Sequence, residues 1–173
     1  MTRHHAMLFP SGPAIADIEA LRHAWDPDMA GAIGPHITLV YPDEHPGLAA
    51  LRERVAAVAK HERTFRLRLG SFREFAPPDD GCIYIEVQDL DGRFTRLREV
   101  LTAPPFRPIA FPPHLTIIHP RTSKRGHEFW RAGVRPVPES DLVVEAIALT
   151  SFDAGGYAID ARIPLGMASD IAG

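Results

Sequence analysis

The spacing of apolar residues along the chain changes between a period of two, typical of strands, and a period of three to four, typical of helices. Helical spacing predicts amphipathic helices over residues 15–25, 48–58 and 90–101 and a shorter helix over 123–132. Alternating or β-branched runs predict strands over residues 6–9, 65–69 and 83–87 and a closing hairpin of 143–150 and 157–164. These strands outnumber what a doubly wound α/β sheet needs, and several should be antiparallel. The pattern therefore predicts an α+β fold.

Two segments repeat one nine-residue phrase, GPHITLVYP at residues 34–42 and PPHLTIIHP at 112–120. The proline, the histidine, the threonine and the final proline are identical. Each His-x-Thr lies in an apolar run that predicts a strand, so its histidine and threonine share one face while their aliphatic neighbours point into the core. The two histidines, His36 and His114, are 78 residues apart. We expect the strands to come from two halves of the fold that face each other across a cleft.

This set of side chains suits acid–base chemistry at a phosphorus atom. Histidine titrates near neutrality, so one imidazole can be neutral and accept a proton from an attacking hydroxyl or water while the other is protonated and donates to the departing oxygen. The hydroxyls of Thr38 and Thr116 can donate hydrogen bonds to non-bridging oxygens, where charge builds in the transition state. No metal is required.

Length, charge and cysteine content narrow the class of protein. At 173 residues we expect a single domain over 1–173, made of two lobes that each contribute one His-x-Thr motif. A net charge of −3 argues against a broad nucleic-acid surface, and we expect no binding of duplex DNA. Cys82 is the single cysteine, which excludes a disulfide framework. No apolar run reaches membrane-spanning length, so we expect a cytoplasmic monomer without membrane contact.

The doubled Pro-His-hydrophobic-Thr-hydrophobic phrase resembles the two-histidine phosphoesterase superfamily, which includes bacterial RNA 2′,3′-cyclic phosphodiesterases often labelled 2′-5′ RNA ligases. The resemblance implies two pseudo-symmetric halves, with mainly antiparallel sheets lining a central cleft and helices outside. It also implies a cleft without metal or cofactor, and the catalytic residues His36, Thr38, His114 and Thr116. In several members the second histidine is the base and the first the acid. RNA-processing members often place an arginine where this chain has His119.

Six further residues are candidates for substrate binding: Tyr41, Arg66, Arg68, His119, Arg121 and Tyr157. The two tyrosines could stack a base. Arg66 and Arg68 share a strand face, which is either a phosphate-binding wall or a solvated surface. Arg121 follows the second motif and could contact a phosphate, as could Lys124 and Arg125. Regular alternation after the second motif's histidine predicts that residue 119 points to the opposite face, where a structural role is expected.

Three functions remain open from the sequence. The leading hypothesis is a metal-independent phosphoesterase that acts on a cyclic phosphate or a 2′-5′ phosphodiester of a nucleotide or an RNA end. The second is a non-catalytic module that binds RNA or a nucleotide in the same cleft. The third is a metal hydrolase with histidine ligands, against which the chain offers no His-x-His, His-x-x-x-His or His-Glu-x-x-His motif. Selectivity should come from the loops at residues 42–47, 77–81 and 104–113.

Overall fold

A computed structural model describes residues 2–76, 81–134, 137 and 139–166. The strands are β1 (Arg3–Leu8), β2 (Ile37–Val40), β3 (Phe65–Glu74), β4 (Ile83–Gln88), β5 (His114–Ile118), β6 (Asp141–Val144), β7 (Ala146–Asp153) and β8 (Gly156–Pro164). The helices are α1 (Ile15–Trp25), α2 (Pro27–Ala32), α3 (Leu48–Ala59), α4 (Arg93–Leu101) and α5 (Gly126–Arg131), and a single 3₁₀ turn spans Pro42–Glu44. None of the helices described is long and apolar enough to cross a membrane.

The strands form two antiparallel sheets of four. The first sheet has the order β2-β1-β7-β8 and the second has the order β5-β4-β3-β6. Each sheet carries one His-x-Thr motif at its edge strand, β2 in one and β5 in the other, and these two edge strands contact each other. The predicted α+β fold with two pseudo-symmetric halves is confirmed.

Alternation within the two motif strands positions the histidines and threonines. Ile37 and Leu39 are fully buried in β2, and Leu115 and Ile117 are fully or almost fully buried in β5. Burial of one such side chain stabilises the fold by about 1.5–3 kcal/mol, so a register slip that reversed the two faces would be strongly disfavoured. The histidine and threonine of each motif are half-buried. The core therefore fixes which face of each strand carries the polar pair.

Two of the predicted elements differ from the structure. The predicted strand over 143–150 is two strands, because β6 ends at Val144 in the second sheet and β7 begins at Ala146 in the first. A single charged residue, Glu145, separates the two strands, and one polar position in an apolar run does not indicate a change of sheet. Leu90 is not part of the third helix and is 59% exposed. α4 begins only after Gly92, which adopts a left-handed φ of +70° that favours glycine.

Other boundaries follow the pattern more closely. α1 spans the predicted residues, and α3 is one residue longer than predicted. β3 extends five residues past the predicted run, and α5 is shorter at both ends than the predicted helix. Of the turn predicted over 77–81, only Gly81 lies within the described residues.

Candidate active site

The contact between the two edge strands brings both motifs to one cleft. His36 precedes β2 and His114 opens β5, and both line a cleft of about 280 Å³ together with Thr38 and Thr116. The four residues predicted from the repeated phrase are therefore brought together, two from each half of the fold. The cleft lies where the two sheets meet.

The two imidazoles are held by the same backbone hydrogen bond. Nδ1 of His36 lies 2.9 Å from the carbonyl oxygen of Gly34, and Nδ1 of His114 lies 2.8 Å from the carbonyl oxygen of Pro112. A carbonyl oxygen only accepts, so in each ring Nδ1 carries the hydrogen and donates it. In the neutral ring the lone pair is then on Nε2. Both histidines are thereby fixed in the tautomer whose Nε2 can accept a proton.

Burial makes both rings less basic than free histidine. It lowers the pKa of His36 to about 4; the hydrogen bond to the Gly34 carbonyl opposes this shift, and the positive charge of Arg22 adds to it. Burial also lowers the pKa of His114, again against a hydrogen bond to a carbonyl that favours the charged ring. Both imidazoles are therefore neutral at pH 7 in the protein alone. A bound anion would raise both pKa values, because opposite charge favours the protonated ring.

The first threonine lies beside a tyrosine hydroxyl in the cleft. Burial raises the pKa of Tyr41 to about 12, against an opposing effect of the nearby Thr38 hydroxyl. The phenol therefore keeps its proton, and since each hydroxyl can both donate and accept, either one can donate to the other. Tyr41 lines the cleft as predicted from the sequence, and its hydroxyl has a role there that the sequence did not suggest.

Aromatic side chains surround the second histidine. Phe75 lies 5.1 Å from His114 between ring centroids and stacks on Tyr84 at 4.2 Å. Phe111 lies 6.0 Å from the same imidazole and 5.4 Å from Tyr41. Phe75 and Phe111 line the cleft, and sequence reasoning missed both because they lie outside any strand or helix, where periodicity carries no signal.

Several cationic and polar side chains line the cleft beside the motif residues. Arg3, His5 and Tyr157 come from strands of the first sheet, and Arg121 comes from the loop after β5. Burial raises the pKa of Tyr157, while the charges of Arg121 and Arg3 oppose the shift, so both guanidinium groups lie near this phenol. Burial lowers the pKa of His5 to about 4, and the nearby charges of His36 and Arg3 add to the effect. Arg121 and Tyr157 were predicted from the sequence, whereas Arg3 and His5 were missed for lack of any motif.

The prediction that His119 points away from the motif histidines is wrong. It lines the cleft, because β5 ends at Ile118 and strand alternation does not extend to residue 119. The fully buried carboxylate of Asp26 accepts the His119 backbone N–H at 2.8 Å and the Thr122 hydroxyl at 2.7 Å. The His119 Nδ1 accepts the backbone N–H of Arg121 at 3.2 Å, so a neutral His119 carries its hydrogen on Nε2.

The structure does not bring Arg66 and Arg68 to the cleft. Both are ion-paired to Asp141 at the far side of the second sheet, at 3.6 and 3.1 Å, and neither is among the cleft-lining residues. Strand periodicity placed them on one face but could not say which face meets the cleft. Lys124 donates to the Pro120 carbonyl, and Arg125 forms an ion pair with Glu128 of α5.

Chemically, the cleft offers two imidazole Nε2 atoms and two threonine hydroxyls around one space. It therefore holds two groups that can accept or donate a proton and two neutral hydrogen-bond donors. Within the described ranges, no group of three or more His, Cys, Asp or Glu side chains is placed to hold a metal ion.

Comparison with known proteins agrees with this geometry. The sequence model of the 2′-5′ RNA ligase superfamily matches residues 9–156. No curated protein matches the chain. Among solved structures, TT0787 of Thermus thermophilus is 21% identical with a TM-score of 0.61, over 94% of this chain and 97% of that one. Escherichia coli LigT complexed with 3′-AMP is 16% identical with a TM-score of 0.62, over 95% and 98% of the two chains.

Further structures of the E. coli protein contain NADP⁺ and ATP. Usb1 of Kluyveromyces marxianus is 12% identical with a TM-score of 0.51, over 94% of this chain and 97% of that one. These likenesses agree in fold with the doubled motif and the two-sheet architecture. The family match covers most of the sequence. The chain therefore belongs to the 2′-5′ RNA ligase superfamily of two-histidine phosphoesterases.

Proposed function

We propose that this protein is a metal-independent phosphoesterase that hydrolyses a cyclic phosphate, such as a 2′,3′-cyclic nucleotide or RNA end, or acts on a 2′-5′ phosphodiester. His36 and His114 are the general acid and base, and Thr38 and Thr116 bind the phosphate. One observation carries the proposal. The two imidazoles in the cleft have the same hydrogen bond from Nδ1 to a backbone carbonyl, which leaves Nε2 of each ring for proton transfer.

In the proposed reaction, the neutral Nε2 of one histidine takes a proton from water as the water oxygen bonds to phosphorus. The bond from phosphorus to the 2′ or 3′ ribose oxygen breaks, and the other, protonated histidine gives its proton to that oxygen. The product is an open phosphomonoester. Either histidine can fill either role, since both Nδ1 atoms are bonded in the same way. The anionic substrate helps to protonate the acid, because it raises the pKa of nearby imidazoles.

Two hydroxyl groups would stabilise the charge on the phosphate. Thr38 and Thr116 donate to non-bridging oxygens, and the Tyr41 phenol orients the hydroxyl of Thr38. His119 lines the same cleft, where related proteins often have arginine. A neutral imidazole is a weaker phosphate ligand than a guanidinium.

A nucleotide is the substrate class that the rest of the cleft supports. Phe75 and Phe111 lie close to His114 and Tyr41 lies next to Phe111, and bases of single-stranded nucleic acid stack on aromatic side chains of this kind. The complexes of E. coli LigT with 3′-AMP, ATP and NADP⁺ favour the same class.

A panel of phosphodiesters tests the proposal. It contains 2′,3′-cyclic AMP, an oligoribonucleotide with a cyclic phosphate end, a 2′-5′ dinucleotide and a 3′-5′ dinucleotide as control, each with and without chelator. We expect turnover of the cyclic or 2′-5′ compounds, a single product regioisomer, and no effect of the chelator. Absence of turnover on every compound, or activity that needs added zinc or manganese after stripping, would overturn it.

One variant separates an enzyme from a binding module. His114→Asn keeps an amide nitrogen near the Pro112 carbonyl but removes Nε2. We expect this variant to bind adenosine 3′-monophosphate and to lose turnover. If the wild-type protein binds the same nucleotide but hydrolyses no compound of the panel, it is a binding module and not an enzyme.

A further inference from the structure

The cleft is lined by more cationic and hydrogen-bonding side chains than the reaction at one phosphate needs. The proposed reaction uses two imidazoles and two hydroxyls, all of them on the motif strands β2 and β5 or immediately before them. Arg3 lies on β1, Tyr157 lies on β8, and Arg121 follows β5, yet all three line the same cleft. Guanidinium groups bind phosphates through charge-assisted hydrogen bonds.

Arg121 stands on a fixed piece of backbone. Its own N–H donates to His119 Nδ1, and Asp26 holds the same loop through the His119 N–H and the Thr122 hydroxyl. Arg121 is exposed, and in the described part of the chain no carboxylate forms an ion pair with its guanidinium. The backbone of Arg121 is thus held in place while its guanidinium carries an unneutralised charge. Such a group is able to bind an anionic part of the substrate.

Arg3 and Tyr157 complete this side of the cleft. Arg3 pairs with Phe152 across β1 and β7, and the Phe152 ring lies 4.4 Å from the Tyr157 ring. Asp43, itself in the cleft lining, accepts one N–H of Arg3 at 2.7 Å, which holds the side chain and leaves its other N–H groups as donors. The charges of Arg3 and Arg121 oppose the burial effect on the pKa of Tyr157. Three hydrogen-bond donors from β1, β8 and the loop after β5 therefore line the same cleft.

We propose that Arg3, Arg121 and Tyr157 form a subsite for a second phosphate group, so that the preferred substrate is a nucleotide with two phosphates. This inference rests on the proposed function for placing the first phosphate between the two histidines. The second phosphate is either a 5′-phosphomonoester on the same nucleoside or the phosphodiester that links it to an RNA chain. The aromatic side chains near His114 are left for the base.

Binding of product-like nucleotides tests the subsite without turnover. Calorimetry compares adenosine 3′-monophosphate, adenosine 3′,5′-bisphosphate and a 3′-phosphorylated diadenosine nucleotide. We expect one of the two-phosphate ligands to bind wild-type protein about tenfold more tightly than the monophosphate, since charge-assisted hydrogen bonds at an exposed site are partly screened by solvent. Preference for the bisphosphate identifies a 5′-phosphomonoester, and preference for the dinucleotide identifies an RNA end.

Two variants that each remove one arginine charge test whether the second phosphate binds at the proposed subsite. Arg121→Met should bring the ratio of affinities close to one, and Arg3→Met should reduce it. Arg66→Met is the matched control, because Arg66 is exposed, paired with Asp141 and outside the cleft, and it should keep the wild-type ratio. A wild-type ratio near one, or a ratio that survives Arg121→Met, overturns the subsite. If the protein hydrolyses cyclic phosphates but binds two-phosphate and one-phosphate ligands equally well, the subsite is refuted and the proposed function is not. If it prefers a two-phosphate ligand but hydrolyses nothing, the proposed function is refuted and the subsite is not.

Discussion

At the residue scale, the two cleft histidines are matched in their hydrogen bonds and in the direction of their pKa shifts. Each donates from Nδ1 to the carbonyl two residues earlier, and burial lowers the pKa of each. The proposed mechanism needs one ring with a proton and one without. In the protein alone at pH 7, neither ring holds the second proton. Binding of the anionic phosphate is therefore part of how the acid becomes charged.

The pH dependence of the two kinetic constants should differ for this reason. The pH profile of kcat/KM reports the free enzyme, in which the histidine pKa values lie below 6.5, so the singly protonated pair declines as pH rises through them. We expect a bell whose alkaline limb lies below pH 6.5. The corresponding limb of kcat should lie at higher pH, because bound phosphate raises the imidazole pKa. Initial rates on a cyclic nucleotide between pH 4 and 9 give both profiles, and a kcat/KM still rising at pH 7.5 would contradict this account.

The proximity of the Tyr41 and Thr38 hydroxyls leads to a second prediction at the residue scale. Thr38→Val and Thr116→Val each keep the side-chain shape and remove one donor to the phosphate, so kcat should fall about tenfold to a thousandfold. Tyr41→Phe keeps the ring and should lower kcat less, because it acts only through the orientation of Thr38. Adding Tyr41→Phe to Thr38→Val should then cost nothing further. Adding it to Thr116→Val, the matched control, should cost as much as in wild type; full additivity with both threonines would refute the coupling.

At the element scale, a buried ion pair ties the turn after β2 to the segment that leads to β5. The Glu44 carboxylate is fully buried and accepts the backbone N–H of Tyr41 at 2.7 Å and of Ile109 at 2.6 Å. Arg98 of α4 pairs with it at 2.5 Å and also donates to the carbonyls of Leu39 and Ile109. One carboxylate therefore joins the first motif strand, α4 and the segment that carries Phe111.

Removal of the cation from this pair should be costly. Arg98→Met leaves the Glu44 carboxylate buried without its charge partner, and we expect the free energy of unfolding to fall by about 3–5 kcal/mol. The double variant Arg98→Met/Glu44→Gln should recover part of that loss, since the buried charge is gone. Arg66→Met, which breaks an exposed pair, should change stability by no more than about 1 kcal/mol. Urea unfolding measures the free energy of unfolding of all three variants. Equal losses in Arg98→Met and Arg66→Met would show that the buried ion pair matters no more for stability than the exposed one.

Elements that depend on local pattern were predictable, and those that depend on distant hydrogen bonds were not. The apolar spacing of α1 and α3 and the alternation in the motif strands fix their bounds and faces from neighbouring residues. The change of sheet between β6 and β7 is marked in the sequence only by Glu145, and a single polar residue does not predict it. The turn of His119 into the cleft depends on Asp26, a carboxylate 93 positions earlier in the chain. Pattern cannot show such a partner.

At the scale of the whole molecule, the repeated phrase was sufficient to predict two halves that meet at a cleft. Pseudo-symmetry follows because each copy of the phrase forms an edge strand and the two edges contact each other. The surroundings of the histidines are not symmetric. Phe75 and Phe111 lie beside His114, whereas Arg3 and Tyr157 lie on the first-sheet side. These residues come from irregular segments and from strands distant in sequence, so only the assembled fold shows them together.

The central claim is that His36 and His114 act as one acid–base pair in a single step, and a double-mutant cycle tests it most directly. kcat/KM is measured on the best substrate of the panel for wild type, His36→Asn, His114→Asn and the double variant, with chelator present and folding checked by circular dichroism. We predict that each single variant loses about 10²–10⁴ and that the double variant loses far less than the product of the two. Full activity in either folded single variant, or losses that multiply in the double variant, would contradict the account.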